Sequence, residues 1–175
     1  MFPIVVGFVL MFAAWRWGDW RHWRKYLPSI QFFIGGDMLY NLLCRNHLVW
    51  DYPHPPNLFT NHLINNLVYM LLLYPTFTLI YLYRYPYGKS VMKQIVYILA
   101  WIVAWLAFEL YMITHGLCVY HYGWTYGWST FFACVMVSMI RLHHTRPLMG
   151  YILSVPFTVF LLLWFHVPVL QVANQ

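Results

Sequence analysis

Nine of the ten Lys and Arg residues in this chain fall in three short clusters, and each cluster sits beside a long apolar run. The clusters are Arg16/Arg21/Arg24/Lys25, Arg84/Lys89/Lys93 and Arg141/Arg146; only Arg45 lies elsewhere. Such a pattern restricts a chain to a bilayer and gives it a direction. Positive residues stay on the cytoplasmic side of spanning helices, so 15–27, 84–93 and 141–147 are expected inside. The loops 46–62 and 115–127 carry no Lys or Arg and, with both termini, are expected outside.

Composition agrees. A soluble domain carries about 25% charged residues, whereas this chain has 8% and is 62% hydrophobic. Its polar groups are too few to coat a water-facing surface, so the apolar excess faces lipid. The net charge of +6 does not indicate nucleic-acid binding, because the basic residues flank spans instead of lining a groove. The length of 175 residues fits a single domain, 1–175.

Six apolar segments can be drawn, at 2–15, 28–44, 63–83, 94–114, 128–140 and 148–167. The expected fold class is all-α: a polytopic transmembrane helical bundle of about six spans, both termini outside. A helix needs about 20 residues to cross the hydrocarbon core; the third, fourth and sixth segments meet this, while the first and fifth are short. The first has neither a charged leader nor a small-residue cleavage site, so it reads as a retained span. Trp15, Trp17, Trp20, Trp23 and Tyr26 form an inner aromatic belt. Trp50, Tyr52, Tyr120, Tyr122, Trp124, Tyr126 and Trp128 form an outer one. Gly123 and Gly127 among the aromatics of 120–128 suggest a folded cap or short hairpin over the bundle. Pro53, Pro55 and Pro56 favour an extended path through 51–57. Pro75 and Pro156 are expected to kink their helices.

Three cysteines, Cys44, Cys118 and Cys134, define no disulfide framework. Cys44 and Cys118 are near enough in depth to pair, with packed free thiols as the alternative.

Of four acidic residues, Asp37 and Glu109 fall inside apolar runs. A carboxylate in hydrocarbon must face the bundle interior, find a partner or stay protonated. Tyr40 and Asn41 share a helical face with Asp37, and Gly35 and Gly36 are expected to let a neighbouring helix approach. With the spans ordered by depth, Asp37, Asn41, Asn65, Asn66, Glu109 and Ser129 reach one level in the outer half. Together with Tyr40 they are the candidate ligand-binding set, facing outward under the aromatic loops. The alternative is that the two carboxyl groups only tie helices together.

On the inner side, the adjacent His143 and His144 do not share a helical face, and no acidic or Cys partner accompanies them. Contact with anionic lipid headgroups through Arg141, His143 and Arg146 is therefore expected, not a metal site. His115 and His121, near Glu109, are candidates for a metal or a proton relay, with half-solvated headgroup-level histidines as the plainer alternative. No phosphate loop, dinucleotide fingerprint, zinc-protease motif or nucleophile elbow occurs. No catalytic residue, cofactor or resident metal is assigned, and enzyme activity is disfavoured.

Four stretches carry a resemblance: Asp19-Trp20-Arg21-His22-Trp23-Arg24-Lys25-Tyr26-Leu27-Pro28-Ser29, Gly36-Asp37-Met38-Leu39-Tyr40-Asn41, Tyr122-Gly123-Trp124 with Trp128-Ser129, and Arg141-Leu142-His143-His144-Thr145-Arg146-Pro147-Leu148. Over most of its length the chain resembles an uncharacterised family of small, Trp- and Tyr-rich multi-spanning proteins from endospore-forming bacilli and clostridia. The resemblance implies a bacterial plasma-membrane protein, multi-pass, in a spore-related setting. It brings no activity with it.

Three functions remain open. The first is a membrane protein whose polar pocket binds or passes a small molecule or a proton. The second is a structural or assembly subunit packing against a membrane-protein partner or a second copy. The third is a small lipid-acting enzyme.

Overall fold

The computed structural model describes residues 2–53 and 66–169. The described chain is helical apart from its loops and one two-stranded ribbon. Helix α1 is Phe2–Trp17, and a 3-10 turn at Trp20–Lys25 leads into α2, Leu27–Leu43. Helix α3 is Asn66–Arg84, α4 is Val91–Thr114, α5 is Tyr126–Thr145 and α6 is Pro147–Trp164. Strands β1, Trp50–Asp51, and β2, Val119–Tyr120, lie in the two uncharged loops. The all-α expectation holds, and the helices fall on the six apolar segments.

Three of the described helices, α3, α4 and α6, are long and apolar enough to cross a membrane, fewer than the six expected. At 1.5 Å per residue, α1 and α2 with 16 and 17 residues reach only about 24–26 Å against a hydrocarbon core of about 30 Å. Helix α5 has 20 residues but ends in Arg141, His143 and His144. It extends beyond segment 128–140 because residues 141–145 continue the helix through the basic cluster until Pro147 opens α6.

Helix α3 is the central element: 56% of its apolar window is buried, against 11% for α4 and 6% for α6. It packs on α1 and α2 and touches α5, while α5 packs on α2, α4 and α6. The core is aromatic. Phe33 stacks on Tyr74 at 4.1 Å, and Phe77 meets Trp105 and Trp101 edge-on at 5.3 and 5.1 Å.

Pro75 acts through a π turn. Its missing N–H leaves the carbonyl one turn earlier without a partner, and the chain widens at Tyr69–Leu73, where the Tyr74 N–H reaches back to the Tyr69 carbonyl. Gly35 and Gly36 do not mediate close helix packing. A Cβ built on either meets no described atom within 4 Å, so the expectation of close approach there is overturned. Close approach occurs at Gly150, where a Cβ would lie 2.9 Å from His143 Cβ and 3.0 Å from its Cα, holding α6 against α5.

The cap is built from two loops, not from a hairpin within 120–128. Strands β1 and β2 pair antiparallel, Trp50 opposite Tyr120 and Asp51 opposite Val119, and the His121 N–H donates to the Val49 carbonyl at 2.9 Å. Beneath them Val49, Trp124 and Phe165 form a small apolar cluster that ties the cap to the end of α6. Cys44, Cys118 and Cys134 are all free thiols, so the Cys44–Cys118 pairing does not form.

Candidate functional site

Asp37 sits near the middle of α2, facing α3. Its carboxylate accepts from Asn66 Nδ2 at 2.6 Å, from the Tyr74 hydroxyl at 3.0 Å and from Asn41 Nδ2 at 3.2 Å. Asn41 also donates to the Asp37 main-chain carbonyl at 2.8 Å, as the i+4 spacing suggested. The π turn brings Asn66 and Tyr74 to one carboxylate. In an unbroken α-helix, residues eight apart point about 80° apart, and the wider turn between them takes up that offset.

Glu109 belongs to a second network. Its Oε1 accepts from Ser129 Oγ at 2.6 Å and from the Tyr120 hydroxyl at 2.7 Å. Trp124 Nε1 donates to Ser129 Oγ at 2.7 Å, and Tyr120 and Ser129 are 3.0 Å apart. This network joins α4, α5 and the cap. Tyr40 forms a third group. Its ring stacks on Trp50 at 3.9 Å, while its hydroxyl accepts from the Trp50 N–H at 3.1 Å and donates to the Trp50 carbonyl at 2.9 Å.

The structure thus divides the candidate set. Asp37, Asn41 and Asn66 come together, Glu109 joins Ser129, and Tyr40 pairs with Trp50; Asn65 lies outside the described residues. Asp37, Tyr40 and Ser129 meet again in the wall of one cavity of about 510 Å³ between α2, α5 and α6. Asn41, Asn66 and Glu109 stand behind that wall and hold the groups that form it. Most of the lining is apolar, including Phe132, Met136, Met139, Phe157 and Leu161. Gly35, Gly36 and Leu39 line the cavity and are exposed, so it opens to the protein surface along α2. Depth ordering pointed to a polar pocket; packing produces an apolar one with a polar wall, because Asn, Tyr and Ser side chains turn the carboxylates toward the contacts between elements.

Tyr74, Tyr120, Trp50 and Trp124 were not in the candidate set. Tyr and Trp each carry one polar edge that seeks a partner when buried, and that is the only sequence signal they gave. The outer-belt reading absorbed Tyr120 and the two tryptophans.

The headgroup set also separates. Arg141 lays its guanidinium over the rings of Tyr85 and Tyr87, 4.3 and 4.7 Å from their centroids, and Nη1 donates to Thr145 Oγ1 at 2.9 Å. Arg146 is exposed at the start of α6. His143 is 2% exposed and lies inside the bundle, stacked on Phe32 at 4.3 Å and edge-on to Tyr151 at 5.1 Å. Its Nδ1 is 3.2 Å from Ser29 Oγ, while Nε2 is buried without a described partner. His144 stacks on Tyr26 instead. His115 Nδ1 donates to the Tyr111 carbonyl at 2.9 Å. Among the described residues no three His, Cys, Asp or Glu side chains converge on a point where a metal could sit.

In the cap, burial and then the nearby Glu109 and Asp51 push the Cys118 thiol up to about 12. Just before α2, burial and the adjacent Asp19 push the Tyr26 phenol up to about 12. Neither group titrates near neutral pH.

Comparison with family models, with curated proteins and with solved structures finds no match to this chain.

Proposed function

We propose that this chain is a multi-pass bacterial plasma-membrane protein whose helix bundle binds a small, largely apolar molecule within the bilayer. In this reading the chain crosses six times with both termini outside, and α1, α2 and α5 span by drawing on their aromatic flanks and on local thinning of the bilayer. A plasma membrane in an endospore-forming bacterium is the setting that the sequence resemblance supports.

The observation that carries the reading is the cavity of about 510 Å³, which lies within the range of about 300–1,000 Å³ typical of small-molecule sites. It combines an apolar lining with a few placed polar groups, Asp37, Tyr40 and Ser129. Gly35 and Gly36 keep one flank of α2 bare, and side chains there would fill the space. The test is saturable binding of a neutral naphthylamine dye to the protein in lipid nanodiscs. Binding beyond that of empty nanodiscs, lost in Gly36→Phe with the helix content unchanged, is the expected result. Equal binding by wild type and Gly36→Phe sinks the reading.

A second reading has its own support. Both carboxylates accept from donors on neighbouring elements, as expected of an assembly subunit in which Asp37 and Glu109 serve only as ties and the exposed faces of α4 and α6 meet a partner. Loss of dye binding in Gly36→Phe without loss of any complex separates the two.

A further inference from the structure

We infer that the cavity binds an amphiphilic organic cation, with its ammonium head beside Asp37 among aromatic rings and its apolar body against α5 and α6. The inference rests on the proposed binding cavity and names the class of molecule in it.

Charge is the first argument. The chain carries a net charge of +6, yet among the described residues that line the cavity Asp37 is the only charged one, and no Lys, Arg or His joins it there. Both carboxylate oxygens accept, Oδ1 from Tyr74 and Oδ2 from Asn66 and Asn41, and none of these three donors brings a positive charge. A carboxylate within an apolar bundle is costly, and hydrogen bonds from neutral groups leave its field in place. In a lining of low dielectric that field reaches a cation without direct contact between oxygen and nitrogen. A neutral guest gains nothing from it, and an anion is repelled.

The rings around Asp37 act in the same direction. Phe33 and Tyr40, four residues before and three after, share its face of α2. Tyr74, whose hydroxyl donates to Asp37, stacks on Phe33 at 4.1 Å. The Trp105 ring centre lies 5.9 Å from that of Phe33 and 6.4 Å from that of Tyr74. All four rings line the cavity with Asp37. The negative faces of aromatic rings attract ammonium groups, Trp most strongly. A hard metal ion instead needs a shell of oxygens, and among the described residues no three His, Cys, Asp or Glu side chains converge to begin one. An organic ammonium spreads its charge over alkyl groups and is held by rings without such a shell.

Access and shape complete the match. Gly35 and Gly36 immediately precede Asp37, and a Cβ at either meets no described atom within 4 Å, so the opening along α2 lies beside the carboxylate. Elsewhere in the lining, Phe132, Met136, Met139, Phe157 and Leu161 supply apolar surface for the rest of the molecule. A compact hydrophilic cation would leave that surface without a partner; an amphiphilic one covers it.

The test is competition against the neutral naphthylamine dye in nanodiscs of phosphatidylcholine, a lipid without net charge, with the signal of empty nanodiscs subtracted. Four competitors share a naphthylhexyl skeleton and end in a primary amine, a trimethylammonium, an alcohol or a carboxylate. Both cations are expected to displace the dye at concentrations about tenfold below the alcohol, with the carboxylate weakest. A primary amine that outcompetes the quaternary ion assigns N–H donation to the head, while equal potency assigns binding to the field and the rings. In Asp37→Asn, a neutral replacement of nearly the same shape, the preference for cation over alcohol is expected to vanish. The inference is overturned if alcohol and cations displace the dye equally in the wild type, or if the cation preference survives intact in Asp37→Asn. The wild-type series decides by itself where Asp37→Asn does not fold. Dye binding that persists without any cation preference removes the cation alone; absence of saturable dye binding in the wild type removes the cavity reading as well.

Discussion

Replacing Asp37 with Leu tests whether the intramembrane network contributes to stability. The substitution removes the acceptor shared by Asn66 and Tyr74, which are 2% and 5% exposed and have no access to bulk water. An orphaned buried donor costs about 1–3 kcal/mol, so two of them set an upper estimate of about 2–6 kcal/mol. Asn41 adds little, because it keeps the main-chain carbonyl of residue 37 at 2.8 Å. The membrane setting lowers the figure, since helices unfolded in a micelle find other partners and interhelical hydrogen bonds there average about 0.6 kcal/mol, with about 1.7 at most. Asp37→Asn retains one acceptor oxygen and should cost less than Asp37→Leu.

The decisive measurement is a double-mutant cycle of Asp37→Leu with Tyr74→Phe, read from reversible unfolding in mixed detergent micelles by circular dichroism. The expected coupling is about 0.6–1.7 kcal/mol. If Tyr74→Phe costs as much in the Asp37→Leu background as in the wild type, the bond between α2 and α3 carries no stability, and the reasoning fails.

Three further outcomes are expected. Gly150→Leu should lose about 1–3 kcal/mol by forcing α6 off His143, whereas Gly36→Ala should be neutral or gain up to about 1 kcal/mol of helix propensity, both read in the same unfolding assay. Because Cys118 is raised to about 12, its reactive thiolate is scarce at pH 8. Maleimide should label it slowly in the fold and quickly after denaturation, and Glu109→Gln should speed the folded reaction by removing the second cause of the rise. In intact cells, with the native cysteines replaced, Gly123→Cys should react with an impermeant maleimide and Gly88→Cys only after permeabilisation; the reverse result would invert the orientation.

Much of the fold was legible in the chain because helix position in lipid depends on local quantities. Runs of apolar residues bounded by Trp20–Lys25, Arg84–Lys93 and Arg141–Arg146 mark helix positions without reference to packing. The i+4 pairing of Asp37 with Asn41 is equally local. Depth ordering also grouped Asp37 with Asn66, and Glu109 with Ser129. Facing direction was not legible, since residues at one depth can look toward different neighbours. The single polar pocket therefore resolved into separate networks, with Asn41, Asn66 and Glu109 turned away from the cavity that Asp37, Tyr40 and Ser129 line.

The basic clusters and apolar runs by themselves determine an all-α chain with an expected direction through the bilayer, because charge and hydrophobicity act residue by residue on transfer from water to lipid. Only tertiary structure decided that a π turn at Tyr69–Leu73 aligns Asn66 with Tyr74, and that two distant loops pair to form the cap. The same holds for His143, which is drawn inside the bundle by Gly150 and Phe32. Each of these depends on which helix faces which, a contact between residues far apart in sequence that no local pattern encodes.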